Sequence, residues 1–164
     1  MTRTLAKPPL RLGFFTRLLD QADAAERYRL ATAQIIHAER CGFDSAWVAQ
    51  HHFHEDEGGL PAPFVFLSQV AARTTRIRLG TGIVTLPLEL PVRVAEDAAV
   101  LDLMCGGRLE VGIGRAATCR PMTPSVSTAP SARRCWYGII AFWSTLGRGG
   151  RCPVATGCIP PIPG

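Results

Sequence analysis

The sequence predicts an α/β fold in which helices cover a parallel sheet, and three observations lead to this prediction. Within the first 115 residues, short apolar runs alternate with longer segments of helical periodicity in the order βαβαβαβ. Proline lies at the start of two helical segments, and glycine follows the end of two. Hydrophobic residues make up 47% of the chain, which is typical of a globular protein.

The first two predicted strands flank one long helix. Residues 10–15 form an apolar run of strand length. From about Ala24 to Arg40, apolar residues recur at helical spacing, and Gly42 suits the C-terminal end of that helix. Residues 44–49 are predicted as the second strand.

Two further helix–strand units follow. A helix is predicted from Pro61 to about Thr74, and residues 77–84 form the third strand. Pro91 suits the first position of a helix that Gly106 and its neighbouring glycine end, and residues 108–113 form the fourth strand. A doubly wound sheet and a (β/α)8 barrel both begin in this way. Only four βα units fit before residue 115, whereas such a barrel takes roughly 250 residues.

The chain changes character after Arg115. Residues 116–164 contain five arginines and no acidic residue, so they carry the whole net charge of +5. Four of the six cysteines and seven of the 13 prolines also lie there, and the cysteine spacing matches no zinc or thioredoxin motif. We therefore predict a boundary: residues 1–115 are the N-terminal part of a domain, and residues 116–164 are an aberrant tail, disordered or produced by a shifted reading frame.

The composition argues against several classes of protein. No apolar stretch approaches the roughly 20 residues that span a bilayer, and residues 1–12 lack the apolar run of a signal peptide. The expectation is a cytoplasmic protein with reduced cysteines and no membrane partner. The pI of 9.2 arises from the Pro-rich tail, and no folded basic face is predicted, so no nucleic acid partner is expected.

Histidines directly after the second strand are the first candidates for chemistry. His51 and His52 are placed on a βα loop at the C-terminal end of the sheet, where barrel enzymes carry their catalytic groups. Imidazole transfers protons near neutral pH. His54 and Glu55 lie close by in sequence, but zinc needs three or four converging ligands, and neighbouring residues rarely point at one ion. No metal is predicted.

Two other strand ends bear on a ligand site. Gly80 and Gly82 lie near the end of the third strand, where a ligand or another backbone can approach closely. They are not a dinucleotide fingerprint, because Thr85 stands where a third glycine is needed. Arg115 emerges at the end of the fourth strand and suits a phosphate, although a solvated charge is the simpler reading of that residue alone.

Together these segments resemble the bacterial luciferase-like monooxygenases. The matching pieces are collinear between about residues 10 and 115: residues 42–53, 79–87, 91–93, 96–97, 101–102, 106–109 and 112–115. The chain departs from the family pattern at three positions. Gln50 replaces the Glu common before the two histidines, Gly114 stands where luciferase has a reactive Cys, and Ala116 begins a tail that does not continue the pattern.

The resemblance implies a TIM (β/α)8 barrel, here an incomplete barrel of about four βα units with an irregular tail. It implies a monooxygenase that uses O2 and reduced FMN, delivered by a separate flavin reductase, to oxidise an aldehyde or another small organic substrate. By position, His51 matches the catalytic histidine. Gly82 and Ile83 match a non-prolyl cis peptide that lines the flavin, and Arg115 matches a residue that reaches the flavin phosphate. The resemblance also implies a homodimer or heterodimer.

Two alternatives stay open. One is a deazaflavin F420-dependent oxidoreductase of the same superfamily, although the histidine pair and the following phenylalanine favour the oxygenase. The other is a non-catalytic remnant of a truncated gene. We also expect the 164-residue chain to bind flavin weakly, because four strands leave an unpaired edge and leave the inward faces of Leu12, Val48, Leu79 and Val111 without partners.

Overall fold

The computed structural model describes residues 10–52 and 56–114 of the chain, and within them it confirms the βαβαβαβ order. The strands are β1 (Gly13–Thr16), β2 (Ser45–Val48), β3 (Arg78–Thr85) and β4 (Leu109–Gly114), and the helices are α1 (Ala24–Arg40), α2 (Pro63–Ala71) and α3 (Pro91–Met104). All neighbouring strands are parallel and lie in the order β1-β2-β3-β4. The predicted tail, residues 116–164, lies outside the described residues.

The helices begin and end at residues suited to those positions. The Asp23 carboxylate caps α1 by accepting the Glu26 N–H at 2.8 Å. Both α2 and α3 begin with proline. Proline suits this position because an N–H group in the first turn of a helix has no acceptor within the helix, so no hydrogen bond is lost. After α1, Gly42 adopts φ +89°, a conformation that glycine alone takes at no steric cost. No helix among the described residues is both long and apolar enough to cross a lipid bilayer.

One face of the sheet packs against the helices and forms the core. Val48, Leu79 and Val111 lie on this face, and they are only 0%, 0% and 5% exposed. The expectation that these three side chains lack partners is therefore wrong, because strand alternation turns them toward the helices and not toward the inner face of a barrel. Leu12 precedes β1 and is 54% exposed.

The opposite face of the sheet carries aromatic rings and glycines. In a closed barrel this is the inner face. Phe15 is 54% exposed there, and the indole of Trp47 lies directly over Gly80. A Cβ on Gly80 would lie less than 3.0 Å from that ring, so only glycine fits. The Trp47 indole N–H donates to Ser45 Oγ at 3.0 Å, which holds the ring flat on the sheet.

Arg108 holds together the end of the sheet where the strands begin. Its guanidinium donates five hydrogen bonds of 2.8–3.1 Å. The acceptors are the carbonyls of Ala71, Thr74, Ile77 and Cys105 and the hydroxyl of Thr74. These groups belong to the end of α2, to the connection between α2 and β3 and to the connection between α3 and β4, so one side chain joins two connections.

Glu39, in the last turn of α1, fastens the same end of the sheet. Its carboxylate accepts the backbone N–H groups of Thr75, Arg76 and Ile77 at 3.0, 2.7 and 2.9 Å. Burial raises the pKa of Glu39, but these three donors outweigh it and, with the Arg108 charge, hold the pKa below its ordinary value of 4.5. The carboxylate thereby locks α1 to the start of β3.

Candidate functional site at the ends of the strands

The candidate site lies at the rim, which we define as the end of the sheet where the strands finish at Thr16, Val48, Thr85 and Gly114. In a parallel sheet all of these C-terminal ends meet on one edge, and the loops that follow them surround any ligand bound there. Leu18, just beyond β1, marks the rim as locally strained. It is fully buried and adopts a left-handed φ of 57°, which is uncommon for any residue but glycine.

His51 lies on the loop between β2 and α2, as the sequence predicts. Its backbone N–H donates to Leu60 O at 3.0 Å, and its side chain is 23% exposed, so the ring is held yet still reaches solvent. Its Nδ1 lies 3.9 Å from Glu57 Oε2. A protonated imidazole gains stability from a carboxylate at this distance, so the pair suits a group that takes up and gives back a proton.

Gly58 makes room for the His51 ring. A Cβ on this glycine would lie 2.5 Å from His51 Cδ2 and 3.0 Å from Arg17 O, which a real side chain cannot do. The next residue, Gly59, donates its N–H to the same Arg17 carbonyl at 3.2 Å and accepts the Tyr28 hydroxyl at 3.0 Å. The loop bearing His51 is thus fastened to the end of β1 and to α1.

Gln50 bonds the loop that bears His51 to neighbouring segments. It is 7% exposed, and its Oε1 accepts the Thr85 N–H at 2.6 Å. Its Nε2 donates to Pro61 O at 3.1 Å and to Glu89 Oε1 at 2.6 Å. The amide orientation follows from the partners, because a backbone N–H only donates and the two oxygens only accept. One side chain therefore connects the end of β2, the start of α2 and the end of β3.

The end of β3 supplies the open part of the rim. The peptide bond between Gly82 and Ile83 is cis, as the resemblance implies. Gly82 lies between the two aromatic rings of the inner face: a Cβ there would meet Phe15 Cε2 at 3.5 Å and Trp47 Cε3 at 3.9 Å. The bare backbone at Gly82 and the two rings together form an apolar surface suited to a flat aromatic ligand.

Glycines on β4 give the Ile83 side chain its place. A Cβ on Gly114 would lie 2.6 Å from Ile83 Cδ1, and one on Gly112 would lie 3.5 Å from Ile83 Cγ2. Position 114, where luciferase carries a cysteine, is therefore occupied in this chain by the end of the Ile83 side chain. The residue type at 83 and the absence of a side chain at 114 are matched to each other.

The structure leaves some of the predicted residues undescribed. Arg115, His54 and Glu55 lie outside the described residues, so a shared rim for His51 and Arg115 stays a prediction. Gly114, the last described residue, does end β4 at the rim. Among residues 10–52 and 56–114, no three His, Cys, Asp or Glu side chains converge as a metal site. Sequence reasoning did not identify Glu57, Gly58 or Glu89, since none belongs to a motif that marks it.

The chain is similar in sequence to known proteins. The sequence profile of the luciferase-like monooxygenases matches residues 11–120. An alkanal monooxygenase alpha chain of Photorhabdus laumondii is 35% identical over 113 residues, which cover 67% of this chain and 31% of that protein. The chain thus spans about a third of the length of the curated relatives it matches.

Solved structures extend the comparison to the fold. The monooxygenase RslO1 of Streptomyces bottropensis is 29% identical with a TM-score of 0.68, over 80% of this chain and 41% of that one. The oxygenating constituent of 3,6-diketocamphane monooxygenase from Pseudomonas putida, in complex with FMN, shares the fold at 18% identity, with a TM-score of 0.72 over 81% and 39% of the two chains. An F420-dependent secondary alcohol dehydrogenase is 25% identical, with a TM-score of 0.59 over 83% and 41%. The described strands and helices are the first units of a TIM barrel of this kind.

Proposed function

We propose, from the premise that the chain belongs to the luciferase-like monooxygenase family, that it is an FMN-dependent monooxygenase. The substrates are O2 and an aldehyde or another small organic molecule, and a separate flavin reductase supplies the reduced FMN. The observation that carries the proposal is the apolar surface at Gly82, which lies at the same rim as the partly exposed imidazole of His51.

The residues present fit a flavin at this surface. The backbone of Gly82 and Ile83 offers a face without a protruding Cβ at 82, and Phe15 and Trp47 flank it. A planar, largely apolar ring system packs well against such a face. Arg115, beyond the described residues, is proposed to bind the flavin phosphate, as a guanidinium does in two-pronged contacts.

The protein's contribution to the reaction is to orient the reactants, exclude water and move a proton. When bound, the reduced flavin would supply the electrons that activate O2. The aromatic rings of Phe15 and Trp47 would pack against a bound ring system and so exclude water from the contact, which favours oxidation of the substrate over loss of reactive species to solvent. His51 donates or accepts the proton, and Glu57 at 3.9 Å stabilises the protonated ring.

The test measures oxidation of an aldehyde by a protein of family length that contains residues 10–115, with O2, FMN, a flavin reductase and NAD(P)H. Oxidised product should form only with all of these present, whereas oxygen uptake alone is not a measure because free reduced FMN itself consumes O2. His51→Ala should lower turnover about 100-fold or more, the usual range for acid–base catalysis. His37→Ala is the matched control, because His37 is exposed and lies in the last turn of α1, at the end of the sheet opposite the rim. Equal turnover in the two variants would show that His51 takes no part in the reaction.

An F420-dependent oxidoreductase is the second candidate. The observation that favours it is the 25% identity to the F420-dependent secondary alcohol dehydrogenase over 83% of this chain. That reading predicts hydride transfer between an alcohol and F420, with no oxygen consumed. An assay that follows F420 reduction alongside oxygen uptake separates the two candidates. The reductase partnership and the dimer stay predictions.

A further inference from the structure

Gln50 uses both hydrogen-bond donors of its amide, which an ionised acidic residue lacks. One acceptor and two donors are engaged, with Thr85, Pro61 and Glu89 as partners. A glutamate side chain held in the same place could still accept the Thr85 N–H. It has no proton to offer to the Pro61 carbonyl, and its second oxygen would face the Glu89 carboxylate.

Two ionised carboxylates cannot stay at this separation. The Gln50 Nε2 and Glu89 Oε1 atoms are only 2.6 Å apart, and Gln50 is almost fully buried. Like charges in such a site either move apart or share a proton, and the proton is taken up more readily as the pH falls. A carboxylate at 50, as in the luciferase-like pattern, is therefore compatible with this backbone only where position 89 is uncharged. This chain has an amide at 50 and a carboxylate at 89.

We propose that Gln50 and Glu89 form a positioning pair, in which Glu89 carries at this rim the carboxylate that the luciferase-like pattern places at position 50. Their contact fixes the loop bearing His51 against the end of β3. Consecutive residues at 50 and 51 bond to the Pro61 and Leu60 carbonyls, so a shift of the Gln50 side chain moves the His51 backbone with it. The effect on catalysis rests on the proposed function, whereas the pairing itself does not.

The experiment uses the 164-residue chain, labelled with 15N, and follows two local signals by NMR. The first is the exchange rate of the Thr85 amide hydrogen, which the Gln50 Oε1 contact protects. The second is the His51 ring resonance. The variants are Gln50→Glu, Glu89→Gln and the exchanged double variant Q50E/E89Q. Gln21→Glu is the matched control, because Gln21 is exposed. Each protection factor is compared with the control at the same pH.

At pH 7, Gln50→Glu should lower the protection of the Thr85 amide about tenfold or more, as expected when a buried hydrogen bond to a charged group is disrupted. Protection should return near pH 5, since one carboxyl then holds a proton and donates it to the other. The exchanged variant should match the control within about threefold at both pH values, because an amide and a carboxylate again face each other. The His51 resonance should move in Gln50→Glu and return in the exchanged variant.

Three results would overturn the proposal: an unprotected Thr85 amide in the unaltered chain, equal protection in Gln50→Glu and Gln21→Glu, or an exchanged variant no better than Gln50→Glu. If Gln50→Glu unfolds completely, the exchanged variant still decides, since recovery of the native spectrum supports the pair and continued unfolding refutes it. A His51 resonance that does not respond would refute the positioning role. Absence of flavin-dependent aldehyde oxidation would refute the proposed function and leave these signals unchanged.

Discussion

Replacing Arg108 by Met should destabilise the fold more than any other single charge removal among the described residues. Methionine keeps most of the length and apolar surface of the side chain but removes all five hydrogen bonds. Each bond from a charged donor contributes about 1.5–3 kcal/mol at most. Arg108 is only half-buried, so water partly replaces it at the freed carbonyls. We expect a loss of about 3 kcal/mol in the free energy of unfolding, out of a usual total of about 5–15 kcal/mol.

Arg108→Lys and Arg93→Met calibrate this estimate. Lysine keeps the charge but lacks the planar fork, so about half the loss is expected. Arg93 is exposed on α3 and pairs with Glu96 and Asp97 in ion pairs of the surface type, so its replacement should cost less than about 1 kcal/mol. Urea unfolding followed by far-UV circular dichroism measures all three. An Arg108→Met variant as stable as Arg93→Met would show that water satisfies the four carbonyls without the guanidinium.

Two further predictions concern stability. Because the folded-state pKa of Glu39 is lowered, its contribution is fully present above the ordinary value of 4.5 and is lost as the pH falls through the folded pKa. Thermal unfolding midpoints should therefore fall less steeply below pH 4.5 in Glu39→Gln than in the unaltered chain, and parallel curves would contradict this. Gly112→Ala should destabilise by about 2 kcal/mol or more, because its Cβ would press on the backbone carbonyl of Thr81. Gly114→Ala should cost less, since only the flexible end of Ile83 must move, and equal urea midpoints would contradict the distinction.

Local signals predicted the elements well where one principle governed a boundary. The predicted α1, from Ala24 to Arg40, is the helix observed, because Asp23 caps its start and Gly42 accepts the left-handed conformation at its end. The prediction for α2 began two residues early, at Pro61. The residue before a proline avoids the helical region, so Ala62 takes φ −125° and ψ 78° and the helix begins at Pro63.

The first strand shows a second kind of error. The apolar run predicts a strand over residues 10–15, but β1 comprises Gly13–Thr16. The Leu12 N–H donates to the Asp44 carboxylate, and the Leu12 carbonyl accepts the Asp44 and Ser45 N–H groups. Leu12 is therefore bonded to the residues just before and at the start of β2, and regular strand pairing begins only at Gly13. An apolar run indicates burial and β-propensity. It does not indicate which groups 32 residues away will form hydrogen bonds with its backbone.

The same limit explains which parts of the site the sequence could supply. The family pattern identified His51, Gly82 and Ile83 because a motif is a local string of residues. The partners of Gln50 lie 11, 35 and 39 residues away, and no local pattern connects them. The departure from glutamate at position 50 is visible in the sequence, whereas the contact between Gln50 and Glu89 is visible only in the fold.

The strand order has a consequence for how the chain is made. Each strand pairs with the strand synthesised just before it, at a separation of roughly 30 residues, so every new βα unit can dock as it leaves the ribosome. The free edge therefore advances with synthesis, whereas the outer edge of β1 has no partner among the described strands. β1 is only four residues long. Such a short edge offers few backbone groups to a wrong partner while the rest of the chain is being made.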